Sequence, residues 1–266
     1  MKTSHLTIVL LLAAMPLFST PLAAAPVVAD WSATAATLAD PSDTGVRAEG
    51  TNLNTGVHAS LLPAGGRYVL ANDGDSLTMT GVLSLGGSLA VATAHAGALR
   101  FGLYDSAGSS GTTGWHGRFA LFDTAGTGGT PGGLLRRTGG AQDFWSGTGT
   151  TRIATYDSVE SALLADTDYT VSLTLTKIAG GLRIAAHAAH ASDPARVWLA
   201  AMYDDATPGP YAFDRAGFFV GSGAGAETLT IKSLDLVAVP EPRTALVAVG
   251  GLGALAWRRY RRIARR

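Results

Sequence analysis

Cleaving a glycosidic bond takes two carboxyl groups about 5–10 Å apart, so the acids are the first residues to place. The chain has only four glutamates, at 49, 160, 227 and 241, and each is isolated. Its aspartates pair at Asp73/Asp75, Asp166/Asp168 and Asp204/Asp205. Each pair lies in a turn-forming context, where an Asp side chain accepts backbone N–H groups. A Ca²⁺ site built from such oxygens is the alternative, and no other cofactor is expected. Asn72-Asp73-Gly74-Asp75 is too short for an EF-hand loop. His187 and His190 are three apart, which on a strand puts them on opposite faces and makes them poor joint ligands. His58, His95 and His116 are scattered. No Gly-x-Ser-x-Gly elbow, phosphate-binding loop or dinucleotide fingerprint occurs in a strand–turn–helix context. The expectation is a protein that binds rather than catalyses; the alternative is a glycan-active hydrolase or lyase.

The densest chemistry lies in residues 108–149, which hold 13 glycines in 42 positions. Trp115, His116, Arg118, Asp143, Phe144 and Trp145 are set among them. An exposed Trp offers a flat apolar face to stack on a sugar and an N–H to donate. Arg or Asp would bond the sugar hydroxyls. Trp115, Arg118 and Trp145 are therefore the candidate carbohydrate contacts. The competing reading is that the Trp residues cap the core or brace a long glycine loop.

These residues need a scaffold, and the pattern around them is one of strands. Tyr169, Val171, Leu173 and Leu175 alternate with Thr and Ser, the signature of a half-buried antiparallel strand. A turn at Lys177-Ile178-Ala179-Gly180-Gly181 and a return over Leu182–Ala189 make a hairpin. Further strands are expected at Arg67–Leu70, Ser76–Leu85, Ala98–Tyr104, Val197–Met202, Phe213–Val220 and Glu227–Val237. Gly117–Phe122 and Arg152–Asp157 carry weaker patterns. In the last strand Leu229 and Ile231 share a face, while Leu234 and Leu236 are out of phase. A bulge near Lys232-Ser233 would restore them. Asp157–Ala165 is either one short helix or a strand and turn. Many short strands, Gly-rich turns and no helical period predict an all-β antiparallel sandwich, a jelly roll of a dozen or more strands. The absence of Cys removes a disulfide framework.

The two ends read as targeting elements. Met1–His5 is weakly basic, Leu6–Phe18 is apolar, and Ala23-Ala24-Ala25 supplies small residues. That layout is a signal peptide over residues 1–25, with cleavage as late as 29, cut by signal peptidase. At the other end Pro240-Glu241-Pro242 stops the last strand. An apolar segment, Thr244–Trp257, follows, and then the cluster Arg258, Arg259, Arg261 and Arg262. Fourteen helical residues span about 21 Å, short of the roughly 30 Å hydrocarbon core. The arginines would hold the tail on the cytoplasmic side.

This three-part order resembles the PEP-CTERM sorting signal of Gram-negative bacteria. The resemblance implies recognition by a membrane-embedded exosortase, cleavage near Pro240-Glu241-Pro242, and a transient stay in the inner membrane. It further implies release to the outer surface or outside, with exopolysaccharide as a partner in biofilm matrices. The expected layout is a signal peptide with its helix, a β-sandwich over 30–238, and a sorting tail over 239–266 with a short membrane helix. In the body, Leu99–Asp105, Tyr169–Thr176 and Phe213–Phe219 resemble strands of concanavalin A/laminin-G-like sandwiches. Sandwiches of that kind often bind sugars on loops and one concave face.

Charge follows the same division. The chain has 20 basic and 20 acidic residues, but seven of the arginines fall in residues 243–266. The body from Pro26 to Val239 has 12 bases and 19 acids. A body near −7 without a Lys/Arg run excludes nucleic acid as its partner. The expected function is a non-enzymatic structural or adhesive module of the cell surface or matrix, with carbohydrate binding.

Overall fold

Alternation of apolar and hydroxyl side chains builds the central strands. The computed structural model describes residues 30–62, 66–89, 99–122, 132–156, 163–207, 209 and 211–239. The strands are β1 (Ser32–Ala33), β2 (Thr37–Ala39), β3 (Val46–Glu49), β4 (Thr55–Ser60), β5 (Tyr68–Val69) and β6 (Ser76–Gly86). They continue with β7 (Leu99–Asp105), β8 (His116–Phe122), β9 (Gly132–Thr138), β10 (Thr150–Tyr156), β11 (Tyr169–Ile178) and β12 (Gly181–His190). The last are β13 (Val197–Asp205), β14 (Ala212–Phe213), β15 (Arg215–Val220) and β16 (Thr228–Val239). A 3₁₀ turn at Ser222–Ala224 is the one helical element among the described residues.

Among the described residues every strand pairing is antiparallel. The first sheet has seven strands in the order β1-β4-β15-β7-β8-β9-β10. The second has seven in the order β13-β12-β11-β6-β16-β3-β2, and β5 pairs with β14 apart from both. The inner faces share one core. Phe101, Leu103, Val57, Ala59 and Phe218 of the first sheet join Leu77, Met79, Leu173, Ile184 and Leu229 of the second. Each fully buried Leu or Phe of this kind contributes about 1.5–3 kcal/mol. The structure is thus the expected all-β antiparallel sandwich of two large sheets.

The strongest local patterns hold. On β11, Tyr169, Val171, Leu173 and Leu175 are buried, and the intervening Thr and Ser face outward. Thr78 on β6 and Thr174 on β11 sit opposite each other and share a 2.9 Å hydroxyl hydrogen bond. Between Ile231 and Ser233 the β16/β6 register slips, so that Leu234 and Leu236 return to the core. That is the bulge which the phase change required. Strand β9 was not expected; its sequence, Gly-Gly-Leu-Leu-Arg-Arg-Thr, has too little alternation to show it.

Strand β16 runs one residue further than the proposed body, to Val239, which pairs with Ser76. Pro240 has no N–H to continue the ladder. The signal helix over 1–25, the sorting motif Pro240-Glu241-Pro242, the membrane helix and Arg258, Arg259, Arg261 and Arg262 lie outside the described residues. So do positions 157–162 of the stretch read as helix or strand; Leu163–Ala165 are not helical. Among the described residues no helix is long and apolar enough to cross a membrane.

Candidate ligand-binding cleft

At one end of the first sheet the inner face changes character. Phe101 and Leu103 on β7, Ala120 on β8 and Leu134 on β9 belong to the core. Two residues further along the same faces stand Asp105, Arg118 and Arg136, and beyond the last two stand His116 and Thr138. Strand alternation puts them all on one side. Pairing sets them abreast: Asp105 opposite His116, His116 opposite Thr138, Arg118 opposite Arg136.

The second sheet supplies the counter-charge. Asp205 ends β13, and its Oδ2 accepts Arg118 Nε at 2.9 Å and Arg118 Nη2 at 2.8 Å. Its Oδ1 accepts Arg136 Nη1 at 2.9 Å and the Thr207 backbone N–H at 3.1 Å. Arg136 Nη1 also donates to the Thr207 hydroxyl. Arg118 completes its shell on the Gly117 and Gly209 carbonyls, both at 3.2 Å. Side-chain exposure is 0% for Arg118, 4% for Asp205 and 17% for Arg136. Burial lowers the Arg118 pKa from its ordinary value, and the Asp205 charge works against that shift. Removing either partner would strand a charge away from water.

Beside this network lies an open cleft of about 490 Å³. Asp105, His116, Arg118, Arg136, Thr138 and Thr207 are among the residues that line it. The volume suits a small ligand. Asp105 is already engaged, taking the Ala107 N–H at 2.9 Å and facing Arg67 at 3.6 Å. Both carboxylates at the cleft therefore hold protein donors.

The expected sugar contacts do not meet. Arg118 faces inward, while Trp115, Phe144 and Trp145 pack on the opposite, outer face of the same sheet. There Tyr104, Trp115, Phe119, Leu121, Leu135 and Phe144 form a second core. Trp115 is 1% exposed, stacks on Phe144 at 4.7 Å and 15°, and donates Nε1 to the Gly111 carbonyl at 2.9 Å. A stacking platform for a sugar at Trp115 is therefore ruled out. The loops after β7 and β9 fold over the sheet and use its indole as filling. Trp145 is half-buried, with its ring parallel to Phe219. Asp143 accepts the Thr112 hydroxyl at 2.5 Å and so ties the two loops together.

Glycines make room for this layer. A Cβ on Gly217 would lie 2.6 Å from Phe144 Cε2, and one on Gly56 would strike the Trp145 ring. Two arginines hold the loop down. Arg137, fully buried, donates to the carbonyls of Ser146 at 3.2 Å and Thr148 at 3.1 Å. Arg100 donates to the Trp145 carbonyl and lies 4.9 Å over the Phe219 ring. Burial lowers the pKa of both.

The paired aspartates divide. Asp75 Oδ2 takes the N–H groups of Ala71 at 2.9 Å and Asn72 at 2.8 Å, which is turn chemistry. Asp168 pairs with Lys232 and Asp204 with Arg183, both at the surface. Asp205, read as a turn residue, is instead the hub of the arginine network. Its signal was the Asp204-Asp205 step at a strand end, where neighbours alternate between water and core. His187 and His190 do fall on opposite faces, and His190 packs on Tyr169 at 4.8 Å. Among the described residues no three His, Cys, Asp or Glu side chains are placed to hold a metal ion.

No family model matches the chain, and no curated protein does either. Solved structures similar to it include the carbohydrate recognition domain of Emp46p in its metal-free form. That match is 14% identical with a TM-score of 0.44, and covers 79% of this chain and 88% of that one. Lectin I from Ulex europaeus, in complex with the methyl glycoside of α-L-fucose, is 13% identical at TM-score 0.46, over 79% and 92% of the two chains. The exoplasmic/lumenal domain of VIP36, bound to Ca²⁺ and Man3GlcNAc, is 13% identical at TM-score 0.48, over 77% and 82%.

Proposed function

We propose that this chain is an exported, non-enzymatic surface or matrix protein whose β-sandwich binds carbohydrate in the cleft beside Arg136. The cleft carries the reading. It is open and sized for a sugar unit or two, and its walls offer hydroxyls, an imidazole and a guanidinium in fixed positions. It does not favour hydrolysis. Acid–base cleavage needs one carboxyl free to give a proton and another free to attack or activate water. Asp105 and Asp205 are both committed to protein donors. The alternative of a glycan-active enzyme therefore has less support than binding.

Delivery rests on the two termini. Signal peptidase removes the N-terminal segment, and the Pro240-Glu241-Pro242 tail pauses in the inner membrane until an exosortase cuts it. Exopolysaccharide is the proposed partner outside, and Ca²⁺ is an accessory of association between acidic bodies rather than a resident cofactor.

The test is titration of the full chain with oligosaccharides, followed by calorimetry. Replacing Thr138 and Thr207 with Val should weaken binding without loss of folding. Binding that is unchanged in the double variant, or turnover of any saccharide, would overturn the reading.

A further inference from the structure

Resting on the cleft as a sugar site, we infer that its ligand is acidic: a saccharide bearing a carboxylate. The charge layout of the two sheets points there. The seven strands of the first sheet carry six arginines, at 100, 118, 136, 137, 152 and 215, against a single acid, Asp105. The second sheet carries four basic and four acidic residues. All this lies within a body near −7. The first sheet is thus a cationic plate in an otherwise acidic molecule, and the cleft opens at its end.

Within the cleft the bookkeeping of donors and acceptors gives the same sign. Arg118, Arg136 and Arg137 line the cleft and Arg67 pairs with Asp105, against the two carboxylates of Asp105 and Asp205, which leaves two positive charges over, and Arg137 is held by loop carbonyls. Asp205 already accepts four protein hydrogen bonds, and Asp105 is held by Ala107 and Arg67. Arg118 is spent on Asp205 and two carbonyls. Arg136 is not: its Nε is buried without a partner among the described residues, and its side chain is the most exposed of the three in the network. Donors are therefore in excess over acceptors. A ligand that brings its own charged acceptor restores the balance, and a guanidinium fork matches a carboxylate. The Thr207 hydroxyl, which accepts from Arg136, can still donate to a ring hydroxyl of the same sugar, and the Thr138 hydroxyl, which donates to the Gly149 carbonyl at 3.4 Å, can still accept from one. A cleft with net positive walls also concentrates an anion that the acidic remainder of the body repels.

The experiment compares oligogalacturonate with its fully methyl-esterified form on the full chain, by calorimetry. The two differ in charge and little else. The acidic form should bind about tenfold tighter or more, the range of one charge-assisted hydrogen bond. Raised salt should shrink that advantage, and Arg136→Met should abolish it. Equal affinity for the two forms overturns this inference and leaves the sugar-binding reading standing. Binding of neither overturns this inference, and the sugar-binding reading is then decided by the oligosaccharide titration and the Thr138/Thr207 variant. An advantage that survives Arg136→Met places the charge recognition elsewhere and overturns the assignment to this cleft. If Arg136→Met does not fold, the comparison on the wild-type chain and its salt dependence decide the matter.

Discussion

Arg118 of β8 and Asp205 of β13 join the two sheets through a carboxylate oxygen that accepts two guanidinium nitrogens, at 2.9 and 2.8 Å. The pair is almost wholly withdrawn from water, with 0% and 4% of the side chains exposed. It is where the apolar core gives way to the cleft.

Asp205→Asn should be strongly destabilising. It leaves Arg118 and Arg136 without a carboxylate, and a broken buried pair costs about 3–5 kcal/mol. Asp204→Asn, one residue away, breaks only a surface pair with Arg183 and should move the urea midpoint little. Equal midpoint shifts in the two variants would refute the interior role of Asp205.

Gly217→Ala tests the glycine floor. The new methyl carbon would lie 2.6 Å from Phe144 and 2.8 Å from Tyr104. Overpacking of this kind costs about 1–3 kcal/mol. Loss of stability should come with altered Trp115 fluorescence, because Trp115 stacks on the displaced Phe144.

His58 should make stability depend on pH. Its ring sits at the edges of Trp115, 5.0 Å away, and Phe144, 5.8 Å away. Burial first, then the Arg215 charge, lowers its pKa from 6.5 to about 4, against the opposing pull of Asp30 and Asp214. Between those values the unfolded chain takes up a proton that the folded chain refuses. Stability should therefore fall as pH drops from 6.5 to 4, by at most about 3 kcal/mol, and be present in full above that window. Urea titrations at stepped pH should show the slope in wild type and a flatter response in His58→Phe.

Changing Pro240, Glu241 and Pro242 together to Ala should leave the sandwich folded and halt release. The expected result is full-length chain retained in the inner-membrane fraction, read by fractionation and C-terminal mass. Normal trimming and release would refute the sorting role.

What could be read from the residues in order was whatever depends on near neighbours. The alternation of Tyr169 to Thr176 fixed a strand and its buried face, because a β-strand turns each successive side chain to the other side. The phase slip before Leu234 demanded a bulge for the same reason. Both are relations within a dozen positions, and the proposed targeting role of the termini rests on local patterns of the same kind, in residues outside those described. Folding decided the rest. Trp115 and Arg118 are three apart and seemed to share one surface. Trp115 precedes β8 and turns with its loop onto the outer face, whereas Arg118 lies within the strand and points between the sheets. Its partner Asp205 is 87 positions away. No local pattern encodes that distance, since it arises only when two sheets close on one another and a buried charge must find its opposite.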